Sequence, residues 1–287
     1  MNRFFSYLRT LLILGRVSNL PTVCSNCLAG WWLGGGKDTA RLPFLFAGAT
    51  FIYVGGMFLN DAFDARFDRE NRPERPIPVG RIALDAVWRW GFGWLAAGAL
   101  LLLWCGEVTG GLGLVLIFWV LLYDAIHKGV AFAPVIMGLC RFFLYVAAAS
   151  TGAAGVTGWS IWCGLALAAY IVGFSYLARR ESSGGALSYW PLLCLAVPMV
   201  LALLTNGNGY RQSALLLCCV LGLWIVRSLR FTLWSAEREI GRTVAGLLAG
   251  IVFVDWLAVA DAPRELSVVF ILFFGAAILF QRFVPAT

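Results

Sequence analysis

The feature that most constrains this chain is a succession of apolar runs, each long enough to cross a lipid bilayer. A spanning helix needs about 20 mostly apolar residues. The candidate runs cover residues 15–35, 42–60, 83–105, 108–123, 132–155, 158–178, 187–205, 212–230, 243–260 and 265–283. Their apolar residues are continuous rather than alternating, which predicts helices and not membrane-spanning strands. We therefore expect an all-α, polytopic membrane helix bundle with nine or ten transmembrane helices.

The composition supports a lipid environment and argues against a soluble globular protein and against a nucleic-acid-binding protein. Hydrophobic residues make up 61% of the chain and charged residues 13%, which is about half the charged share of a soluble domain. A soluble core of this size cannot hide that much apolar surface. The net charge of +7 fits cationic loops beside anionic headgroups, so we expect membrane lipids and no nucleic acid among the partners. We expect residues 1–287 to form one domain.

The distribution of cations predicts the orientation in the membrane. If the N-terminus is cytoplasmic and all the runs cross, the inside segments hold most of the 22 Lys and Arg residues. Such an excess is typical of cytoplasmic loops. The pattern places both termini in the cytoplasm, and with nine spans only the C-terminus changes sides.

The segment NDAFDARFD is the most informative polar sequence in the chain. Asn60, Asp64 and Asp68 are spaced at i, i+4 and i+8, so a helix places them on one face, with Asp61 beside them. Carboxylates in a row repel one another unless a cation joins them, and Mg²⁺ binds through one or two carboxylates plus substrate phosphates. The spacing predicts a phosphate-bound Mg²⁺ at the membrane surface. The competing interpretation is a solvated loop that ends a span.

Arginines after this row favour phosphate binding over a solvated loop. They are Arg66, Arg69, Arg72 and Arg75. Guanidinium groups pair well with phosphate oxygens. The segment RPERPIP, residues 72–78, cannot continue as a regular helix because of its prolines, so we expect a loop folded over the site.

Two further polar segments follow later runs on the same predicted membrane face. The first contains Tyr123, Asp124, His127 and Lys128, and the second contains Arg179, Arg180 and Glu181. Because all three polar segments end alternate helices on one face, we expect them to converge on a shared cavity.

The polar row and its loop resemble the first signature of the UbiA superfamily of intramembrane prenyltransferases. That signature reads NDxxDxxxD at the cytoplasmic end of the second helix and is followed by an RPxP-like loop. Here it is complete as Asn60, Asp61, Asp64 and Asp68, followed by RPIP at residues 75–78. The order of segments agrees over roughly residues 10–260.

The resemblance implies a bundle around a central cavity that opens to the cytoplasmic face. It also implies an isoprenyl diphosphate donor, Mg²⁺ as the cofactor, and a lipophilic, often aromatic, acceptor that attacks an allylic cation. The implied metal ligands are Asn60, Asp61, Asp64 and Asp68, the implied catalytic residues are Asp64, Asp68, Lys128 and His127, and the implied substrate-binding residues are Arg75, Tyr123, Asp124, Arg179, Arg180 and Glu181.

Two later motifs of the family match less well. In a Tyr-x-x-x-Lys-Arg pattern, His127 stands for the Lys and Lys128 for the Arg. The segment that carries the second metal has no aspartate here, and Glu181 is its acid. Arg179 and Arg180 can bind diphosphate oxygens in place of a second ion. This segment and PVIMGLCR, residues 134–141, resemble an EboC-like branch of the superfamily.

Ionisable residues inside the predicted spans are further candidates, because such groups usually face a cavity or a partner. Arg141 is a candidate substrate-binding residue that can reach toward the diphosphate or pair with Asp124. Arg16 and Asn19 can line the acceptor pocket, although an arginine there can equally snorkel to the headgroups.

Asp255, in the ninth run, is expected to have a structural role in which it pairs with Arg227 or Arg242. As an ionisable group within a predicted span, it needs a partner in the bundle.

Two other functions stay open. A family member that has lost catalysis would bind a prenyl lipid without turnover, as the altered third motif suggests. A transporter would also carry acids within its spans, but here the acids cluster at one membrane face. For localisation we expect a multi-pass protein of the bacterial inner membrane, with its active site facing the cytoplasm.

Overall fold

The computed structural model describes residues 3–183, 190–205, 208–235 and 238–285. Within these ranges the chain is helical and contains no β-strand, which confirms the predicted all-α class. The helices are α1 (Arg3–Leu14), α2 (Leu20–Leu33), α3 (Leu42–Phe63), α4 (Ala65–Asn71), α5 (Leu84–Cys105), α6 (Glu107–Ile126), α7 (Ala133–Ala149), α8 (Gly158–Ser183), α9 (Trp190–Cys194), α10 (Val197–Leu204), α11 (Asn208–Leu233), α12 (Ile240–Ala258) and α13 (Arg264–Phe280).

Several helices are long and apolar enough to cross a bilayer, as an integral membrane protein requires. Among the described residues, the six that meet both conditions are Leu42–Phe63, Leu84–Cys105, Glu107–Ile126, Gly158–Arg179, Tyr210–Leu233 and Ile240–Ala258. Shorter apolar helices include Phe5–Leu14, Ala133–Ala149 and Trp190–Leu204. The count of nine or ten crossings stays a prediction.

The first predicted run, 15–35, is not one helix. The chain enters the bundle through α1, and Arg16 then takes a left-handed conformation with φ 41° and ψ 49°. A short 3₁₀ turn at Val17–Asn19 leads into α2, which has 14 residues. Hydropathy alone could not locate this break, because the residues on both sides of it are apolar. Its consequence is that Arg16 and Asn19 leave the helical register and line the central cavity.

Glycines bring α3 and α5 into close contact. A Cβ built on Gly98 would lie 2.8 Å from the carbonyl oxygen of Gly48 and 2.9 Å from the amide nitrogen of Ile52. A Cβ on Gly55 would lie 2.8 Å from the carbonyl oxygen of Gly91. Small residues at helix contacts let backbones approach closely in a membrane, where packing rather than water exclusion drives association. These contacts fix α3, which carries Asn60 and Asp61 at its C-terminal end.

The loop after α4 follows the sequence prediction. Residues 72–83 form turns without a regular helix before α5 begins at Leu84. Ile77 and Ile82 are buried against Leu14 and Phe58, which anchors this loop to α1 and α3. The loop thereby holds Arg75 beside the acidic end of α3.

Candidate active site

A cavity of about 560 Å³ lies within the bundle. It is lined by α3, α4, α6, α7, α8 and α12, by the turn before α2 and by the segments that follow α4 and α6. One part of its wall is polar and the other is apolar. The polar rim consists of Asn60, Asp64, Asp68, Arg72, Arg75, Tyr123, Asp124, His127, Lys128 and Arg179. The apolar chamber includes Ile52, Leu116, Val120, Leu144, Ile171 and Leu248. The structure thus brings residues from all three predicted polar segments to one cavity.

The carboxylate row spans the junction of α3 and α4. Helix α3 ends at Phe63, but the Asp64 amide donates to the Asn60 carbonyl at 3.0 Å and the Asp68 amide donates to the Asp64 carbonyl at 2.9 Å. These bonds keep the helical spacing across the junction, so the three residues stay on one side of the chain. All three side chains are buried at the rim of the cavity.

Asp64 is held by two basic side chains from the segment after α6. Lys128 Nζ lies 2.7 Å from Asp64 Oδ1, and His127 Nε2 lies 3.5 Å from the same oxygen. Burial acts to raise the pKa of Asp64, but hydrogen bonds from His127 and Lys128 outweigh it, so the pKa lies below its usual range. The carboxylate is therefore ionised at neutral pH and able to accept a cation.

Arg75 connects the loop to two acids of the motif. Its Nη1 lies 3.0 Å from Asp61 Oδ1 and 3.1 Å from Asp68 Oδ2. Burial raises the pKa of Asp68, and the Arg75 charge opposes this shift without cancelling it. Arg16 also contacts Asp61, at 3.4 Å. Asp61 is thus engaged by two guanidinium groups, from Arg75 and Arg16, and is not among the cavity-lining residues. Its role as a metal ligand stays a prediction.

Two carboxylate oxygens in this region lack a hydrogen-bond donor among the described residues. They are Asp68 Oδ1 and Asp124 Oδ2, both buried. Asp124 accepts one hydrogen bond from Asn60 Nδ2, at 3.1 Å, through its other oxygen. A buried acceptor without a donor is costly unless another ligand satisfies it. No three His, Cys, Asp or Glu side chains of the described chain form a metal site by themselves, so an ion here would need substrate oxygens as well.

Aromatic rings stand next to the basic groups of the rim. Lys128 Nζ lies 3.7 Å from the centre of the Phe67 ring, and the rings of Tyr123 and His127 stack with centres 5.0 Å apart. Phe67 was not predicted, although it precedes Asp68 directly. It holds the ammonium group in place by cation–π attraction.

The third polar segment is only partly described. Arg179 donates to the carbonyl oxygen of Val130, which ties the end of α8 to the loop before α7, and it also lines the cavity. The side chains of Arg180 and Glu181 lie outside the described residues. Their roles stay predictions.

Arg141 does not pair with Asp124 in this structure, so one of its two predicted contacts is not formed. It is 8% exposed, and its Nη1 donates to Asn26 Oδ1 at 2.7 Å. Its Nη2 donates to Thr22 Oγ1 at 3.3 Å. Both partners lie on α2, on which polar residues at i and i+4 share one face. Thr22 and Asn26 are four residues apart within an apolar run, and this spacing was the one sequence pattern that pointed to a polar contact on α2.

The predicted pairing of Asp255 with Arg227 or Arg242 is wrong. Asp255 is fully buried and accepts hydrogen bonds from Ser25 Oγ at 2.5 Å and from Asn26 Nδ2 at 2.9 and 2.7 Å. Arg227 instead lies over the Trp224 ring, and Arg242 lies over the Phe231 ring. Asp255 joins α12 to α2, which agrees with the expected structural role.

Comparisons with known proteins agree with this architecture. Residues 20–243 match the model of the UbiA prenyltransferase family. A digeranylgeranylglyceryl phosphate synthase from Ignicoccus hospitalis is 38% identical over 103 residues, which are 36% of this chain and 34% of that protein. One from Methanothrix thermoacetophila is 33% identical over 126 residues, which are 43% of this chain and 47% of that protein. The matched segments thus span only a third to a half of these relatives.

Solved structures share the fold over nearly the whole chain. A structure described for digeranylgeranylglyceryl phosphate synthase in membranes has a TM-score of 0.61 and 20% identity, covering 96% of this chain and 99% of its own. A UbiA homologue from Archaeoglobus fulgidus, bound to GPP and Mg²⁺, has a TM-score of 0.55 and 15% identity, covering 94% of this chain and 98% of its own. The EboC-like branch stays a prediction. The family match, with the motif at the cavity rim, shows that the chain belongs to the UbiA prenyltransferase family.

Proposed function

We propose that this protein is a Mg²⁺-dependent intramembrane prenyltransferase. It moves an isoprenyl group from an isoprenyl diphosphate to a lipophilic acceptor. The observation that carries the proposal is the division of one cavity into a rim of paired acids and bases and an adjoining apolar chamber. A diphosphate with a hydrocarbon tail has the same division, because one end is anionic and the other is apolar.

The acids of the rim fit a hard cation. Asp64, Asp68 and Asp124 offer carboxylate oxygens, Asn60 offers an amide oxygen, and oxygens on Asp68 and Asp124 have no donor among the described residues. These four residues would hold Mg²⁺ together with diphosphate oxygens. Mg²⁺ bound there would neutralise charge on the diphosphate leaving group.

The basic residues are placed to exchange partners when a diphosphate binds. Lys128 and Arg75 bind carboxylates of the motif in this structure, at 2.7 to 3.1 Å. Both groups can turn from carboxylate to phosphate oxygens that arrive at the same rim, where charge-assisted hydrogen bonds are strong. Arg179 extends the cationic wall from the α8 side. These groups bind the negative charge that develops as the carbon–oxygen bond breaks.

The chamber protects the cationic fragment that ionisation leaves behind. Most of its wall is apolar, with aliphatic side chains such as Ile52, Leu116 and Ile171, which help to exclude water from the cation. Tyr53 and Tyr123 also line the cavity, and an aromatic ring attracts a cation by about 0.5–2 kcal/mol. The acceptor then attacks the allylic carbon, and its proton passes to a basic group or to water at the rim.

We extend the proposal to the protein's organisation. Residues 1–287 form one domain with nine or ten crossings, and the polar rim opens to the cytoplasmic side, where the excess of Lys and Arg lies. The relatives described above come mostly from archaea, so a bacterial inner membrane stays a prediction.

The test is diphosphate release by the detergent-purified protein. Isoprenyl diphosphates of several chain lengths are supplied with and without Mg²⁺, together with a lipid extract as acceptor source. We expect release that requires Mg²⁺ and falls at least about a hundredfold in Asp64→Asn, which keeps the shape but loses the charge. Asp38→Asn is the matched control, since Asp38 is exposed between α2 and α3.

The outcomes separate the proposed function from its alternatives. Mg²⁺-dependent binding of donor without release, with every acceptor source, would favour a lipid-binding protein that has lost catalysis. The absence of both donor binding and diphosphate release would refute the prenyltransferase. The transporter would then return to consideration. Equal release by Asp64→Asn and the wild type would remove the rim from the mechanism.

A further inference from the structure

We propose that Arg141 forms an anion subsite inside the apolar chamber and binds the carboxylate or phosphate group of the acceptor. The inference rests on the proposed function, because it assigns the second ligand of the same cavity. It differs from the predicted role of Arg141, in which the guanidinium reaches the donor diphosphate. The juxtaposition that carries it is a buried guanidinium on the wall of a chamber that is otherwise mainly apolar.

Arg141 lies far from the acidic rim. Its Cζ is 5.6 Å from the centre of the Tyr53 ring. Tyr53 precedes Asn60 by seven residues on α3, which corresponds to about 10 Å along a helix. A diphosphate anchored at Asp64 and Asp68 therefore does not extend to Arg141.

Helix α7 gives an independent measure of the same depth. It begins at Ala133, which lines the cavity shortly after Lys128. Arg141 follows eight residues later, about 12 Å along the helix. Met137 and Cys140 lie between them on the same cavity-facing side. Arg141 thus stands about two helical turns inside the chamber.

The guanidinium is fixed in position by a chain of hydrogen bonds. Asn26 accepts from Arg141 through its oxygen and donates to Asp255 through its nitrogen, at 2.7 to 2.9 Å. The carboxylate of Asp255 determines which way the Asn26 amide points. Thr22 accepts the second hydrogen bond from Arg141. The result is a rigid arginine whose orientation is set by α2 and α12 before any ligand arrives.

This arrangement leaves the charge of Arg141 available to a ligand. Within the described residues, no carboxylate comes within 4 Å of Arg141, and Asn26 stands between it and Asp255. The two hydrogen bonds use two of the five N–H groups that an arginine carries. A buried cation in a membrane protein is costly and marks a ligand or a partner. The isoprenyl tail is a hydrocarbon, so the anion must come from the acceptor.

Neighbouring groups suit an oxyanion on a lipophilic body. Tyr53 and Asn19 also line this part of the wall, and Asn19 Nδ2 donates to the Tyr53 hydroxyl at 3.1 Å. The Tyr53 hydroxyl retains its own hydrogen to donate to an anion. The surrounding aliphatic side chains would bind the apolar part of the acceptor. An aromatic carboxylate and a lipid phosphate both have this chemistry.

The test compares matched ligands with and without the anionic group. One pair is 4-hydroxybenzoate and its methyl ester. The other is geranylgeranylglyceryl phosphate, which has one prenyl chain and a free hydroxyl, and the same lipid without its phosphate. Equilibrium binding is measured by calorimetry on the purified protein in detergent. We expect the wild type to prefer the anionic member of one pair by at least about tenfold, the range of a charge-assisted hydrogen bond. The preferred pair identifies the source of the anion.

Variants assign the preference to Arg141. Arg141→Gln should remove most of it without changing affinity for the neutral member, and Arg141→Lys should restore part of it. Arg211→Gln, at an exposed position on α11, is the matched control. Equal preference in Arg141→Gln and the wild type would overturn the proposal. The proposal would also be overturned if the wild type bound the two members of each pair equally. That measurement does not depend on whether Arg141→Gln folds.

A donor measurement separates this inference from the proposed function. Mg²⁺-dependent binding of geranyl diphosphate should be retained in Arg141→Gln, because Arg141 is far from the rim. Loss of donor binding in a folded Arg141→Gln variant would mean that Arg141 contacts the diphosphate, which contradicts the proposal. A wild type that prefers the anionic probe but neither binds donor nor releases diphosphate would support the anion subsite and refute the transferase.

Discussion

Replacing Gly98 with alanine should destabilise the protein, whereas the same replacement at Gly93 should stabilise it. Both glycines lie on α5, five residues apart. A Cβ at Gly98 would come within 2.8 Å of the Gly48 carbonyl oxygen and 2.9 Å of the Ile52 amide nitrogen, both of which are backbone atoms of α3. A Cβ at Gly93 would meet nothing within 4 Å. The two helices must therefore separate in one variant and not in the other.

The magnitude follows from two opposing effects. Alanine is favoured over glycine inside a helix by about 0.5–1 kcal/mol, and this gain applies at both positions. Overpacking a close contact costs about 1–3 kcal/mol, and this cost applies only at Gly98. The difference between the two variants isolates the packing cost, so we expect Gly98→Ala to be less stable than Gly93→Ala by about 1–3 kcal/mol.

Equilibrium unfolding in mixed micelles of dodecyl maltoside and SDS measures this difference. Diphosphate release measured in parallel should fall in Gly98→Ala, because α3 carries Asn60 and Asp61 beyond the contact. Equal stabilisation of both variants would refute the close α3–α5 contact. A stable Gly98→Ala variant with unchanged release would show that the rim does not depend on that contact.

Three further predictions concern the rim and the buried acid of α12. Lys128→Met should weaken Mg²⁺-dependent binding of geranyl diphosphate by about 10- to 100-fold through loss of a charged hydrogen bond. Lys37→Met, at an exposed position, should leave this affinity unchanged. Equal affinities of Lys128→Met and the wild type would exclude Lys128 from the site. Chelating divalent cations should abolish this binding and added Mg²⁺ should restore it, whereas binding that persists in EDTA would contradict a Mg²⁺ site. Asp255→Asn should lower the free energy of unfolding by about 1–3 kcal/mol, because the new amide group turns a donor toward Ser25 and Asn26. Asp261→Asn, at an exposed position, should leave the free energy of unfolding unchanged. Equal stabilities of the two variants would show that the charge of Asp255 is not needed.

Much of the rim was predictable because its residues are local in sequence. Asn60, Asp64 and Asp68 occupy helical positions one turn apart, and the structure keeps that spacing across the end of α3. Prolines in the following segment exclude a helix whatever the tertiary context, so the loop that carries Arg75 could also be expected. The motif thus indicated which residues meet before any contact between helices was known.

Partners from different helices could not be predicted in the same way. Arg141 pairs with Asn26 and Thr22, which are more than a hundred residues away in the chain. Asp255 pairs with Ser25 and Asn26, and not with the arginines nearer in sequence. Because Arg141 and Asp255 are ionisable, the sequence suggested oppositely charged residues as their partners. In an apolar interior, however, uncharged amide and hydroxyl groups can also satisfy a buried ion. Only the packing of α2 against α7 and α12 decides between them.

The sequence by itself determined that this chain is helical, lies in a membrane and carries an acidic row facing a basic loop. Those properties depend on apolar run length and on helical periodicity, which are local. Only the tertiary structure decided that Asp61 contacts two arginines and that Arg141 stands in the apolar chamber. It also decided that one buried oxygen of Asp124 has no donor among the described residues. The physical reason is that helices in lipid associate by close packing at small residues and by a few polar contacts. Which faces meet therefore depends on the whole bundle rather than on any one helix.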